Sequence, residues 1–534
     1  MLIKMKFKRF YFLNILFFII TTATILTLNI FPLYTLAKRS PAGRTYALIH
    51  NNVQDFYFYQ SLMNQGTSGN WIIYDPYTTE THKSSIIFSY FTWAGKLSQL
   101  LQIPHAYTYH AIRIIAGIFF FITAYRLIIM LKLPYPHLIY FFFLFAAPFF
   151  KGDTPYMYWW TGMDPVRRAA YLPHHMFGGF LLIVSVILIL RFFSSKKIKY
   201  LLYALPLALF MSFIHTPSLI ILLIVLPPTL LFYIVLNLKN WKLLIGNYWY
   251  LFVYWIIGLL SLSFMVSQTQ KGFPWNQYLL WERNLQYPLD KELIGALGIL
   301  FPFALTGTVI SLLSKKFDRI FIACWFAVPI LLIPAAGKLG MSNIRLIQGI
   351  PYLSMSILAV LGLEYLIKLI RKLFVFCSPA IALATVGLLF FAYSYREIVW
   401  SVKDQIREYS PIFGNTYLDN RLFAAFDFIN KNYPPKTTSV STFYAGNYLP
   451  VYTHTVSFIG HNGYTYNVDR KEPEVAKLFT MKMAEREAKS FLMDNKITLV
   501  FQGPEEKQFY PDYLYPNILK PVYDREEATI YEMK

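Results

Sequence analysis

The sequence has few cysteines and few charged residues. Cysteine occurs twice, at Cys324 and Cys377, each within an apolar run, so neither a disulfide framework nor a thiolate metal cluster is available. Charged residues make up 14% of the 534 residues, against about 25% in ordinary soluble domains. Because 56% of the chain is hydrophobic, the composition argues against a soluble enzyme.

Acidic residues are scarce in one part of the chain only. Residues 1–395 contain 32 Lys and Arg but 10 Asp and Glu, whereas the remaining residues contain 17 and 18. A nucleic-acid-binding protein would carry its basic excess on a soluble face, and here the excess lies in the apolar part, so no nucleic-acid partner is expected. Basic loops between apolar segments are typical of a polytopic membrane protein.

Long apolar segments predict about eleven transmembrane helices. The first contains 28 uncharged residues, Phe10–Ala37, and exceeds the apolar stretch of about 7 to 15 residues in a signal peptide. A bilayer core of about 30 Å requires about 20 helical residues. On that scale, ten further segments are predicted near residues 106–131, 134–150, 177–192, 200–214, 218–236, 248–266, 293–313, 319–335, 346–367 and 373–394.

The positive charges predict the orientation of a multi-pass protein of the cell membrane. With a cytoplasmic N-terminus, the short basic connections lie inside, and loops 38–105, 151–176, 267–292 and 336–345 lie outside. The charge pattern changes near residue 400, which predicts a transmembrane domain over 1–399 and a small extracytoplasmic α/β domain over 400–534. In that domain, helices are predicted at 418–432 and 475–493, and strands at 438–444, 497–502 and 529–532.

The first outer loop, residues 38–105, is too long for a simple connection. A short helix is predicted from Val53 to Gln65, ended by Gly66, and an amphipathic helix from Ser85 to Gln102. The second helix is expected to place Phe88, Phe91, Trp93 and Leu97 at the membrane interface. Asp55 falls in the first turn of the first helix, where it serves either as a catalytic base or as a helix cap.

At this loop the sequence resembles the GT-C class of integral-membrane glycosyltransferases, including bacterial members with a C-terminal extracytoplasmic domain. The resemblance rests on Asp55 to Tyr59 soon after the first span, Gly69-Asn70-Trp71, Pro76 to Glu80, and the YHAIRIIAG opening of the second span. In the tail it rests on RLFAAFDFIN, GHNGYT with the following Lys471, and LVFQGPEE.

The resemblance implies inverting transfer of a sugar from a polyprenyl-phosphate donor to an extracytoplasmic acceptor, with membrane lipid around the enzyme. Such a step needs a base for the acceptor proton and cations for the phosphate leaving group, and Asp55 fits the base. Many members of the class pair two acids here, whereas Asn51 and Asn52 precede the single Asp55. Whether a divalent cation such as Mg or Mn takes part therefore stays open.

The second outer loop combines acids, arginines and aromatic rings, which suits a sugar phosphate because guanidinium forks match phosphate oxygens. An aromatic belt with solvated charges would give the same composition. The candidate substrate-binding residues in this loop are Asp153, Asp164, Arg167, Arg168, Trp159 and Trp160.

Four other residues are candidates for substrate binding. Arg345 lies in a late outer loop, where members of the resembled class often meet the lipid-linked phosphate, although an anchoring charge would look the same. Arg113 is predicted one or two turns inside the second span, where an arginine is costly and faces the protein interior or extends to the surface. His215 lies at a tight external turn, and Glu80 belongs to the first-loop motif.

Two other classes of function compete with the glycosyltransferase. A transporter or a lipid or polysaccharide flippase would show inverted repeats and broken segments at mid-membrane, and apart from Pro206 and the Pro227-Pro228 pair the sequence shows neither. A non-catalytic cell-envelope assembly protein would tolerate loss of Asp55. The most informative single observation would be a lipid phosphate bound near Asp55 and Arg345.

Overall fold

The protein is described from a computed structural model, which describes residues 2–156, 163–287, 290–347, 350–373, 378–408 and 415–534. The α-helices are, in chain order, α1 Leu2–Lys38, α2 Val53–Thr67, α3 Ser89–Leu101, α4 His105–Met130, α5 Pro136–Phe145, α6 Pro165–Ala169, α7 Pro173–Ser195, α8 Lys199–Ile214, α9 Thr216–Leu236, α10 Trp241–Thr269, α11 Trp275–Asn284, α12 Lys291–Leu297, α13 Phe301–Leu313, α14 Phe317–Leu332, α15 Ile344–Ile347, α16 Ile350–Leu373, α17 Pro379–Glu408, α18 Leu422–Asn432, α19 Phe443–Tyr452, α20 Val468–Phe479, α21 Glu485–Asp494 and α22 Glu506–Phe509. The strands are β1 Arg44–Tyr46, β2 Phe150–Lys151, β3 Thr154–Pro155, β4 Tyr417–Asp419, β5 Thr438–Val440, β6 Val456–Ser457, β7 Leu499–Gln502, β8 Leu519–Asp524 and β9 Thr529–Met533.

The apolar helices agree with a multi-pass membrane protein. Among the described residues, eight helices are long and apolar enough to cross a membrane, or nine if α12 and α13, bent by 80° at their break, form one span. The predicted segments at 134–150 and 200–214 correspond to the shorter apolar helices α5 and α8. Within the described ranges, each of the eleven predicted segments therefore overlaps an apolar helix, and eight of these helices are long enough to span on their own.

The chain folds into two compact units that do not follow a single cut in the sequence. The first contains Met1–Pro32, Arg113–Val266 and Trp281–Gln405, and the second contains Leu33–Ile112, Ser267–Leu280 and Ile406–Lys534. The first outer loop therefore belongs to the same unit as the C-terminal tail. The predicted domain boundary between residues 399 and 400 stays a prediction.

The first unit is a bundle of apolar helices. Within it α13 packs along α16, α7 along α8, and α9 along α14. Aromatic rings also join α7 to α14, because Phe193 of α7 stacks on Phe317 of α14 with ring centroids 3.5 Å apart. Buried apolar area and ring packing hold these helices together.

The second unit contains a five-stranded sheet in the order β6-β5-β7-β9-β8. The pairs β5–β6 and β5–β7 are parallel, and β9 pairs antiparallel with both β7 and β8. Helices α20 and α21 cover a core that includes Val440, Leu478, Leu492 and Val500. The small α/β domain predicted near the C-terminus is present in this unit.

The first outer loop packs into the same unit as this sheet. Strand β1 pairs antiparallel with β4, with Thr45 opposite Leu418. Helices α2 and α3 cross closely, since a Cβ added at Gly66 would lie 2.1 Å from the Thr92 carbonyl oxygen, and one at Gly95 would lie 2.0 Å from that of Met63. Only glycine permits this approach, which fixes the direction of α2.

Several local predictions need correction. The single helix predicted at 475–493 is two helices, α20 and α21, because Met481 adopts a left-handed conformation with φ 56° and ends the first. The amphipathic helix begins at Ser89 rather than Ser85, and α2 continues through Gly66 to Thr67. Phe91, predicted at the membrane interface, is buried inside the unit against Tyr59, at a centroid distance of 4.2 Å.

Candidate active site

Asp55 lies in the first turn of α2 with its carboxylate partly open to solvent. The helix begins there because Asn52 adopts an extended conformation and its Oδ1 accepts a hydrogen bond from the Asp55 backbone N–H at 3.1 Å. Asn52 therefore supplies the cap that Asp55 was considered to provide. The Asp55 side chain keeps 43% of its exposed area, and this leaves the carboxylate accessible to a substrate.

Aromatic packing fixes the start of α2. Phe58, one turn after Asp55, stacks on Tyr464 with centroids 4.2 Å apart and an interplanar angle of 9°. Such contacts between rings contribute about 0.5–1.5 kcal/mol beyond the burial of their area. The helix that carries Asp55 is thus held against the segment of the tail that contains Tyr464.

That tail segment brings His461 to Asp55. The His461 Nε2 atom lies 3.6 Å from Asp55 Oδ1, and the neighbouring Asn462 donates its backbone N–H to Gln54 Oε1 at 3.0 Å. The resemblance marked the GHNGYT segment, but sequence reasoning did not place His461 at the site. Asp55 and His461 are far apart in the sequence, and the hydrophobic pattern of the segments around them gives no sign of their contact.

Glu80, a predicted substrate-binding residue, forms an ion pair inside the second unit. Lys471 Nζ lies 2.8 Å from Glu80 Oε1 and also donates to the Phe458 carbonyl at 3.2 Å. Burial lowers the pKa of Lys471 from its ordinary value, while Glu80 opposes this change. The carboxylate of Glu80 is therefore occupied by an internal partner.

Asp75 lies near this pair and is fully buried. Its Oδ1 accepts the Tyr77 backbone N–H at 2.9 Å, and its own backbone N–H donates to His82 Nε2 at 2.9 Å. Burial raises the pKa of Asp75 well above its ordinary value. Because this acid has no exposed surface, it is a poor candidate for substrate binding.

In the first unit, Asp164 and Arg167 belong to a buried ionic network. Asp164 caps α6 by accepting the backbone N–H groups of Val166 and Arg167 at 2.8 and 3.1 Å. The Arg167 Nη2 atom lies 2.8 Å from Asp404 Oδ2, and Ser401 donates to the Asp164 carboxylate. These contacts hold α6 against α17, so a role of the two residues in substrate binding stays a prediction.

Arg168 is also buried, and its guanidinium is directed at the protein backbone. It donates to the carbonyls of Met163 at 3.0 Å and Ala146 at 2.8 Å, and it lies 4.4 Å from the centre of the Tyr352 ring. Asp153 has the opposite environment, since it is fully exposed and only 4.0 Å from Arg396. Trp159 and Trp160, the aromatic candidates of this loop, lie outside the described residues.

Arg113 faces the interior, one of the two outcomes expected for an arginine inside a span. Its side chain is fully buried and donates to Asn29 Oδ1 at 2.5 Å and to the Ala170 carbonyl. It thereby joins α4 to α1 and to the residues that follow α6. This contact explains how the membrane helix tolerates the charge.

Arg345 is paired with Glu282 in the first unit. The Nε atom donates to both carboxylate oxygens of Glu282, at 2.9 and 3.1 Å, and Nη2 also contacts that carboxylate. Sequence reasoning did not identify this partner. Because bidentate pairing fixes a guanidinium in one plane, Glu282 determines the direction of the Arg345 side chain.

His215 belongs to a cluster of imidazoles near Arg345. It separates α8 from α9, its Nδ1 lies 2.8 Å from Ser218 Oγ, and its ring centroid lies 4.1 Å from that of His175 and 5.9 Å from that of His174. The charge of Arg345 acts on all three rings. Across the described ranges, no three His, Cys, Asp or Glu side chains are placed to hold a metal ion.

Comparisons with known proteins identify the fold. No family model matches the chain, and no curated protein matches its sequence. The structure is similar to the oligosaccharyltransferase of Archaeoglobus fulgidus tethered with an acceptor peptide containing the NVT sequon, with 13% identity over 99% of this chain and 74% of that chain, at a TM-score of 0.55.

Two further structures of that archaeal enzyme give similar matches. One, in complex with Zn and sulfate, has 13% identity over 97% of this chain and 73% of the other, at a TM-score of 0.53. The other, with an inhibitory peptide and a dolichol-phosphate, has 13% identity over 93% and 69%, at a TM-score of 0.51. At this identity the likeness establishes the fold, and it confirms the predicted GT-C membrane architecture.

Proposed function

We propose that the protein is a membrane glycosyltransferase that moves a sugar from a polyprenyl-phosphate donor to an extracytoplasmic acceptor, with inversion. The fold supports the class, and one archaeal enzyme of similar fold is known in complex with a dolichol-phosphate. The observation that carries the proposal is the accessible carboxylate of Asp55, placed just after the first apolar helix and freed from helix capping by Asn52.

Asp55 acts as the general base in this proposal. It removes the proton from the acceptor hydroxyl or amide as the acceptor attacks the anomeric carbon of the sugar, and the polyprenyl phosphate leaves from the opposite face. A general base of this kind contributes about 10²- to 10⁴-fold to the rate. A base with an open carboxylate can meet acceptors of different shapes, so Asp55 alone does not determine the acceptor.

Arg345 is the proposed contact of the donor phosphate. A guanidinium suits phosphate oxygens, and Glu282 holds this one in a fixed plane. His215 and Arg113 lie in the same unit as Arg345, and in this proposal His215 is at the phosphate while Arg113 supports the surrounding helices. Asp153, Asp164, Arg167, Arg168 and Glu80 remain proposed substrate contacts.

The described donor atoms around Asp55 do not fit a divalent cation. Asp55 is the single carboxylate in its helical turn, and its neighbouring ionisable group is His461 rather than a second acid. Magnesium and manganese prefer several oxygen ligands. We therefore derive no step of the reaction through a metal ion, although one structure of the archaeal enzyme contains Zn.

The proposed orientation places the N-terminus in the cytoplasm and the tail outside, as the basic connections indicate. We expect a reporter that is active only outside the cytoplasm to be active when fused after Lys534, and a cytoplasmic reporter to be silent there. The reverse result would place the tail, and Asp55 beside it, on the wrong side for an extracytoplasmic acceptor.

The function is tested with purified protein, a radiolabelled polyprenyl-phosphate sugar and a panel of acceptors. Release of free polyprenyl phosphate together with labelled acceptor is the expected result. Movement of the intact lipid-linked sugar across a vesicle membrane without cleavage would instead support the flippase alternative. If the protein neither cleaves nor moves the lipid-linked sugar, that result would favour the assembly-protein alternative.

A further inference from the structure

The tail loop Gly460–Thr465 places a buried imidazole against the proposed base. His461 is 8% exposed, and its Nε2 lies 3.6 Å from Asp55 Oδ1. This Nε2 has no hydrogen-bond partner among the described residues. A buried donor without a partner destabilises the folded protein. The nearby Asp55 carboxylate offers an explanation for its presence here.

The other ring nitrogen determines which tautomer faces Asp55. Gly463 donates its backbone N–H to His461 Nδ1 at 3.0 Å. A ring nitrogen that accepts a hydrogen bond carries no proton, so the neutral ring carries its proton on Nε2. His461 therefore presents an N–H donor to the Asp55 carboxylate.

Ring contacts and backbone bonds fix the position of this donor. The imidazole packs beside the stacked rings of Phe58 and Tyr464, at centroid distances of 5.7 and 4.8 Å. Thr465 Oγ1 accepts the backbone N–H groups of both Gly460 and His461 at 3.1 Å. The loop is also bonded to Gln54, the residue before Asp55, so imidazole and carboxylate are held to the same helical turn.

We propose that His461 is a positioning residue for Asp55, an inference that rests on the proposed function. When substrates bind, the Asp55 side chain rotates and His461 Nε2–H donates to one carboxylate oxygen, which turns the other oxygen toward the acceptor. The present separation of 3.6 Å is longer than the roughly 2.7–2.9 Å of a charge-assisted bond. Catalytic hydrogen bonds are often long without substrate and shorten in the complex.

The reaction balances with His461 keeping its proton throughout. The acceptor O–H or N–H bond breaks and its proton moves to Asp55, while a new bond forms between the acceptor atom and the anomeric carbon. The bond from that carbon to the phosphate oxygen breaks, and its electron pair leaves with the polyprenyl phosphate. The histidine only orients the carboxylate that receives the proton.

Two conservative variants separate this role from packing. In His461→Gln the side-chain amide reaches the position of Nε2 and still donates to Asp55. In His461→Asn the shorter side chain reaches only the position of Nδ1, so it bonds to Gly463 but not to Asp55. We expect His461→Asn to lower kcat by roughly 10- to 100-fold, as for loss of a hydrogen bond to a charged group, with an unchanged KM for the donor, and His461→Gln to stay close to wild type.

A matched control is His454→Asn in the same unit, where the native ring contacts Ser68, one residue beyond the other end of α2. It should leave kcat unchanged. In an Asp55→Asn background, His461→Asn should cause no further loss, because its effect passes through the carboxylate. Equal losses in the Gln and Asn variants, or additive losses with Asp55→Asn, would show that His461 acts only in packing.

The outcomes for the two proposals are distinguishable. If Asp55→Asn loses turnover while His461→Asn has wild-type kcat, the positioning role is overturned and the proposed base stands. If Asp55→Asn itself has wild-type turnover, the base assignment falls and the role of His461 falls with it.

Discussion

One carboxylate of the second unit and one ionic network of the first unit lie in opposite surroundings. In the second unit, Asp55 keeps an accessible carboxylate that lies 3.6 Å from the His461 Nε2 atom. In the first unit, Arg167 is buried and ion-paired to Asp164 and Asp404. An accessible charge can meet a substrate, whereas a buried ion pair mainly holds helices together. We therefore expect substitution of Asp55 to lower turnover and substitution of Arg167 to lower stability.

The largest effect is expected from removing the accessible carboxylate. Asp55→Asn should lower turnover by about 10²- to 10⁴-fold, the usual contribution of a general base, because the amide cannot accept the acceptor proton. Expression and thermal unfolding should not change, since Asn52 caps the helix. The measurement is release of polyprenyl phosphate from labelled donor.

The matched control for this variant is Asp469→Asn, which changes an exposed acid in the first turn of another helix, α20. Its turnover should equal that of the wild type. If the two variants behave alike, the carboxylate of Asp55 has no role in the reaction and the contrast between the units loses its functional meaning.

Breaking the buried network should lower the stability of the protein. Arg167→Ala leaves the Asp164 and Asp404 carboxylates without their cation, and loss of one partner of a buried ion pair costs about 3–5 kcal/mol. Arg396→Ala removes a half-exposed arginine that lies 4.0 Å from Asp153 and donates to the Gly152 carbonyl at 2.7 Å. Because these contacts are exposed, the variant should cost less than Arg167→Ala, about 1 kcal/mol. Thermal unfolding in detergent compares the two variants.

A different result for Arg167 would be equally informative. A variant that unfolds like the wild type but binds the lipid donor weakly would move Arg167 from the structural group to the substrate-binding group predicted from the sequence. Donor affinity should therefore be measured on the same preparations.

Arg345 lies between these two extremes, because it is ion-paired and also the proposed phosphate contact. Arg345→Lys keeps a cation for Glu282 but loses the planar fork, so donor binding should weaken while stability changes little. Arg345→Ala should weaken donor binding further, by about 1.5–3 kcal/mol. Equilibrium binding of labelled donor is the measurement, and unchanged affinity in both variants would remove Arg345 from the site.

The smallest effect is expected on the pH dependence of stability. Burial raises the pKa of Asp75 in the folded protein. In an unfolded chain the pKa of an aspartate is about 3.9. The stabilisation is complete below that pH and declines as the pH rises through the folded-state pKa. Asp75→Asn keeps the hydrogen bond from the Tyr77 backbone N–H and should remove this decline. The Tm of the variant should therefore exceed that of the wild type only at higher pH. Parallel plots of Tm against pH for the two proteins would contradict the assignment.

The sequence predicted the apolar helices well but could not predict most contacts of the charged residues. Hydropathy located the apolar helices of the described residues, because a bilayer imposes a length and a composition on each. The Asp55 helix was predicted from local signals, but the cap proved to be Asn52. Contacts such as Lys471 with Glu80 join residues far apart in the chain, and nothing local in a single sequence specifies them.

The sequence also did not predict which charged side chains of the second outer loop are buried. Arg168 and Asp153 come from the same outer loop, and both were predicted to bind substrate. Arg168 is enclosed by backbone carbonyls, whereas Asp153 is fully exposed. Which side chains of a loop turn inward depends on the helices that surround it, and that arrangement is set by tertiary packing.

The pairing of β1 with β4 has a consequence for synthesis of the protein. The Arg44 side chain bonds to the Tyr417 carbonyl 373 residues later, so the first outer loop cannot complete its strand pairing until most of the chain has been made. At about 5–20 residues per second, the ribosome delivers β4 roughly 20 to 75 s after β1. During that interval the loop carrying Asp55 remains outside its final structure, and a chain that stops before residue 417 would insert its membrane helices without assembling this part of the site.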